Sequence, residues 1–145
     1  MEKTPAIAQL RAAIEDTLVA QRGYRGEIKK WKRKYLKGLD GRPLHVRSLH
    51  SALNLLLQSA GALICKKRIV LFEQNMIRAG YDHGKDFQFI VWVHDEEGIA
   101  CRTREIAEDA VRIGQNSMRE AQSYYGFRVQ LDTEGKIGKN WAETH

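Results

Sequence analysis

The sequence predicts an α+β fold in which antiparallel β-hairpins are packed by one long and two shorter helices. Apolar residues recur at helical spacing over residues 4–22, 48–80 and 103–125. Between these stretches lie short runs with strand character, and turn signals such as Asp40-Gly41 and Glu97-Gly98 punctuate them. The chain has 145 residues, 43% hydrophobic and 29% charged, which is the make-up of one ordinary domain large enough to bury a core. Neither repeat nor linker divides it, so residues 1–145 read as a single domain.

Thr4 followed by Pro5 starts the first helix, with Ile7, Leu10, Ile14 and Leu18 on one face and Gly23 just beyond its end. Residues 28–47 read as a basic β-hairpin turning at Leu39-Asp40-Gly41-Arg42, with Trp31, Arg33 and Tyr35 on one side of the first arm. Ser48 caps the long helix, which Gly80 closes. Its middle, Gln58-Ser59-Ala60-Gly61-Ala62, is small and polar, which suits close approach by another backbone. Phe87 to Val93 is a strand by its aromatic and β-branched content, and Ile99-Ala100-Cys101 returns beside it, making a hairpin of residues 87–101. Thr103 opens the last helix, and residues 127–132 read as a final strand.

Ten basic residues against Glu27 and Asp40 give residues 22–47 a net charge of +8, whereas the whole chain carries +6, so the remainder carries −2. The basicity is therefore a local patch that implies a local acidic partner. Cys65 and Cys101 have no second Cys or His at ligand spacing, which argues for buried reduced thiols over a zinc site or a disulfide. No apolar run approaches a membrane span, and the first residues lack a signal core, so the expected setting is cytoplasmic with no membrane partner.

Asp95 and Glu96 follow a strongly apolar strand. Rigidly held carboxylates of this kind suit magnesium-dependent phosphoryl transfer, because hard cations take oxygen ligands. Residue types alone favour the plainer description of Asp95-Glu96-Glu97-Gly98 as a polar hairpin turn.

Five blocks in order add a resemblance: Leu36 to Arg42, Leu55 to Lys66, Trp92-Val93-His94-Asp95-Glu96, Cys101-Arg102-Thr103 and Leu131 to Lys136, followed by Asn140-Trp141 and a terminal His145. They cover most of the chain. Together they resemble the C-terminal palm portion of family A, DNA polymerase I-like DNA polymerases, in the short-tailed bacteriophage branch, with Val93 to Glu96 as motif C. The resemblance implies template-directed nucleotidyl transfer with two Mg2+ ions, Asp95 as a metal-binding catalytic aspartate and Glu96 assisting nearby. It implies that His94 lies beside the primer terminus, and that Asn54 and Gln58 touch the minor groove, where nearly uniform acceptors let polar groups test pair shape without reading sequence. The basic residues Lys30, Lys32, Arg33, Lys34, Lys37, Arg42 and Arg47 would track duplex phosphates.

Two departures from the family pattern stand out: Glu97-Gly98 in the returning strand and Pro43 in the basic hairpin, both expected to weaken pairing. The family's other metal-binding aspartate and its nucleotide-binding helix have no counterpart in these 145 residues. The chain alone is therefore expected to be inactive. Its expected partners are primer–template DNA, deoxynucleoside triphosphate in the complete enzyme, the N-terminal remainder of the polymerase, and other copies of itself through exposed sheet. The alternative is a non-catalytic duplex-DNA-binding remnant of a prophage polymerase.

Overall fold

A computed structural model describes residues 4–144; residues 1–3 and the terminal His145 lie outside the described residues. The chain forms two compact units, Met1–Ala60 and Gly61–His145, and the division falls inside one continuous helix.

In the first unit, α1 (Pro5–Leu18) begins at Thr4, whose carbonyl accepts the Ile7 N–H at 3.1 Å while its side chain makes no capping bond. The helix predicted to reach residue 22 stops at Leu18. Val19, which is β-branched, is already extended and opens β1 (Val19–Arg22). That strand pairs antiparallel with β2 (Ile28–Trp31) around Gly26 at φ 82°, with irregular register at Gln21. β3 (Tyr35–Lys37) pairs with β4 (Pro43–His45) around Gly41 at φ 85°.

The single hairpin predicted over 28–47 is thus corrected to two separate two-stranded sheets. The chain breaks from β2 because the Lys32 and Arg33 N–H groups donate to Leu18 O, at 2.8 and 3.4 Å, instead of to a strand partner. Pro43 is accommodated as the first residue of β4, opposite Lys37. Ile14, Leu18, Val19, Leu36, Val46 and Ala52 form the core, with Ile28 and Trp31 packed on it. Trp31 is therefore partly buried against this core, whereas Arg33 and Tyr35 are exposed.

The helix α2 (Leu49–Arg78) starts with Ser48 Oγ accepting the Ser51 N–H at 3.3 Å. At its end Gly80, at φ 92°, donates to Ile77 O, and Tyr81 donates to Met76 O, a Schellman closure. In the second unit, β5 (Phe87–Val93) and β6 (Glu96–Cys101) form one antiparallel hairpin, followed by α3 (Arg104–Tyr125). Thr103 Oγ1 caps α3 by accepting the Ile106 N–H at 3.3 Å, and Gly126, at φ 69°, ends it.

Phe72, Met76, Phe87, Ile106 and Ala110 make the core of this unit, with Phe72 edge-on to Phe87 at 6.0 Å. Fully burying a side chain of this size contributes about 2–3 kcal/mol. The buried stripe of α3 also includes Gly114 and Ser117, polar in composition but in phase with Ile106, Ala110 and Ala121. Ser117 Oγ is satisfied by donating to Ile113 O at 2.8 Å and accepting from Asn75 Nδ2 at 3.1 Å.

The strand predicted over 127–132 does not form; the segment is irregular. Some backbone groups between Phe127 and Thr133 are taken up by α3 side chains. Gln122 Oε1 accepts the Leu131 N–H at 2.7 Å, Gln122 Nε2 donates to Phe127 O at 3.3 Å, and Gln115 Nε2 donates to Thr133 O at 3.4 Å. Among the described residues, no helix is long and apolar enough to cross a membrane.

Candidate functional site

The β5–β6 hairpin is built to expose its tip. Phe87 and Phe89 point into the core opposite Cys101 and Ile99, which anchors the base. Between Phe89↔Ile99 and Val91↔Gly98 the register shifts by one, so Ile90 is a bulge residue. Beyond it Trp92 faces Glu97 and Val93 faces Glu96, leaving the two-residue turn His94-Asp95. Glu97 and Gly98 pair with Trp92 and Val91, and the register shift falls next to Gly98, between the Val91↔Gly98 and Phe89↔Ile99 pairs.

His94 has φ 56°, while Asp95 has no positive φ. This is the sign pattern of a type II′ turn, in which glycine is the usual first residue. A histidine there costs of order 1–3 kcal/mol and is characteristic of functional sites. His94, Asp95 and Glu96 are all exposed. Glu97, the next residue, turns inward because strand side chains alternate: Glu97, Ile99 and Cys101 face the protein while Glu96 and Ala100 face out.

Glu97 pairs with Arg68 of α2, and their side chains are only 2% and 11% exposed. Burial pushes the Glu97 carboxyl above 4.5, and the Arg68 guanidinium pulls it part of the way back. Burial likewise raises the half-buried Cys65 thiol, helped by the negative charges of Glu97 and Asp95, and burial alone raises Cys101. Both cysteines are free. At the base of the hairpin, the Arg102 N–H donates to Asp86 O at 2.9 Å, and Arg102 Nη2 lies 2.9 Å from Asp86 Oδ1.

In the first unit, Lys30, Lys32, Arg33, Lys34, Lys37, Arg42 and Arg47 are all exposed. Three of them also serve the fold. Lys32 Nζ donates to Asp16 O at 2.6 Å and Arg33 Nε to Thr17 O at 3.2 Å, capping carbonyls in the last turn of α1 where cations are favoured. Arg33 also lies 5.8 Å over the Tyr35 ring. Arg42 pairs with Asp40, and this hydrogen bond is the main reason that the Asp40 carboxyl is held below its usual range. Asn54 and Gln58 are exposed one turn apart on α2, so they share a face.

Among the described residues, no three His, Cys, Asp or Glu side chains converge on a point where a metal could sit. Sequence reasoning located the exposed acids but missed the Arg68–Glu97 pair. Nothing in the run Asp95-Glu96-Glu97 distinguishes the residue that goes inward except the period-two phase set by Ile99 and Cys101.

These features define a class: an α+β chain that exposes a carboxylate-tipped hairpin and a cationic surface. The sequence matches the model of DNA polymerase family A over residues 1–143, and the chain belongs to that family. It is 52% identical to the DNA-directed DNA polymerases of Enterobacteria phage T3 and Escherichia phage T7, in each case over 100% of this chain and 21% of the relative. It is 29% identical to DNA polymerase I of Aquifex aeolicus (strain VF5), over 72% of this chain and 17% of that protein. The chain thus spans about a fifth of the length of the phage relatives it matches.

Proposed function

We propose that this chain supplies the motif C carboxylate and part of the duplex-binding surface of a DNA-directed DNA polymerase, and that it acts only with the segments occupying the rest of the relatives' length. The observation that carries the reading is the hairpin tip, where the positive φ of His94 turns the chain so that Asp95 and Glu96 stand exposed beyond a well-anchored strand pair. Membership of DNA polymerase family A supports it.

Asp95 is the carboxylate offered to metal, with Glu96 beside it and His94 against the primer terminus. Two magnesium ions, completed by ligands from other segments, would supply Lewis-acid stabilisation of the transferring phosphate. Asn54 and Gln58 reach the minor groove from one face of α2, and the exposed lysines and arginines hold phosphates. With Lys32, Arg33 and Arg42 also tied to protein groups, Lys30, Lys34, Lys37 and Arg47 carry most of the salt-dependent affinity. Ile90 (70% exposed) and Trp92 (44%) leave apolar hairpin surface for the remainder of the polymerase or for a second copy.

The test is primer extension with magnesium and all four deoxynucleoside triphosphates, using the chain alone, the chain with a separately expressed upstream polymerase portion, and that mixture with Asp95→Ala. Activity in the mixture only, abolished by Asp95→Ala, is the expected result. An inactive mixture in which the chain still binds duplex DNA would establish the non-catalytic binding remnant instead.

A further inference from the structure

We propose that the buried Arg68–Glu97 ion pair is a positioning pair that ties the β6 arm of the hairpin to α2 and so holds the Asp95 tip in one pose. The proposal rests on the reading of Asp95 as the functional carboxylate and adds the residues that aim it. Glu97 is two residues from Asp95, its side chain is 2% exposed, and Arg68 Nη1 donates to its Oε2. The guanidinium also bears on α3: a Cβ built at Gly114 would lie 3.1 Å from Arg68 Nη2. One arginine thus spans α2, β6 and α3, and the smallness of Gly114 is what admits it.

The pair is not optimised for stability. Arg68 Nε and Glu97 Oε1 are buried without a hydrogen-bond partner, so this is a single charged bond rather than a two-pronged fork. A buried pair of this kind is often matched or bettered in stability by apolar residues of similar volume, whereas removing one partner leaves an uncompensated buried charge. What a directed bond adds over apolar packing is a fixed geometry. The gain falls on the arm that carries the tip, beyond the Ile90 bulge where the ladder is interrupted.

The experiment compares the parent chain with Glu97→Gln and with the double variant Arg68→Leu/Glu97→Val, by urea unfolding and by hydrogen exchange of amides 93–97. Glu97→Gln should raise the unfolding equilibrium constant by about 10²-fold or more, since Arg68 is left without its counter-charge. The double variant should return to about the parent's stability, yet exchange at the tip at least about 10-fold faster. In the reconstituted primer-extension mixture it should lower kcat with little change in the KM for nucleotide. Equal tip protection in parent and double variant would overturn the proposal, leaving the pair a packing element only. A Glu97→Gln variant unchanged in both stability and tip exchange would overturn it even if the double variant failed to fold. Because the exchange measurement uses the chain alone, it decides the matter even where the parent mixture makes no DNA, a result that would count instead against the polymerase reading.

Discussion

Gly98 and Trp141 meet where the C-terminal segment crosses the hairpin: a Cβ at Gly98 would lie 3.4 Å from Trp141 Cζ3 and 2.7 Å from Val91 Cγ1. Gly98 therefore stands in β6 because of what lies against it. Gly98→Ala forces Val91 off its place and pushes on the Trp141 ring. Overpacking of this kind costs about 1–3 kcal/mol. Urea denaturation should show that loss, and Trp141 fluorescence should shift as the ring is displaced. Unchanged stability would mean that the hairpin absorbs a methyl group freely.

His94 holds a backbone conformation that glycine adopts at no steric cost. His94→Gly removes strain of order 1 kcal/mol and adds about 0.5–1 kcal/mol of unfolded-chain entropy, so the folded chain should stay within about 0.5 kcal/mol of the parent. His94→Val, β-branched at positive φ, should lose about 1–3 kcal/mol. The contrast between the two in chemical denaturation isolates the backbone from the imidazole. If His94→Gly also abolishes extension in the active mixture while remaining folded, the side chain itself acts at the primer.

Asp86 anchors the entry to the hairpin. Only 8% exposed, it accepts the Asp82 N–H through Oδ2 at 3.0 Å, while Oδ1 takes the Arg102 charge off the hydrogen-bond line. Asp86→Ala strands the Asp82 N–H and removes the counter-charge across residues 86 and 102, where the hairpin closes. A loss of about 2 kcal/mol is expected, the scale of a hydrogen bond to a charged group. Asp86→Asn should recover part of it. Thermal unfolding of the three proteins side by side measures both effects.

The parts of this molecule that were legible in its sequence are those specified by neighbouring residues. Phe87 to Val93 had to be a strand from its aromatic and β-branched run, and the α3 start from Thr103, whose hydroxyl caps it. The exposed acids Asp95 and Glu96 followed from the hairpin. The illegible parts depend on partners far along the chain. Val19 to Arg22 continues the polarity of α1 and becomes a strand only because Ile28 to Trp31 is there to pair with it. Residues 127–132 look like a strand locally, but the Gln122 side chain takes up the Leu131 N–H and the Phe127 carbonyl, groups that a strand would pair. Lys32 and Arg33 look like members of one uniform basic patch, whereas their bonds to Asp16 and Thr17 carbonyls are visible only once α1 has ended beside them.

Tyr81 provides a pH-dependent reporter for the second unit. Its hydroxyl donates to Asp109 Oδ2, and that hydrogen bond, before burial and the neighbouring negative charge, raises the phenol above 10. The folded chain therefore keeps the Tyr81 proton at a pH where the unfolded chain has released it. With more protons bound in the folded state, stability falls as pH rises through this window. The contribution is fully present below pH 10 and is lost as pH climbs through the raised folded value. Tyr81→Phe has no such proton. The difference in unfolding midpoint between parent and Tyr81→Phe should be constant from pH 7 to 9 and then shrink at higher pH, while the other tyrosines and the lysines, common to both proteins, cancel. A difference that stays flat to pH 11 would show that Asp109 does not hold the Tyr81 proton.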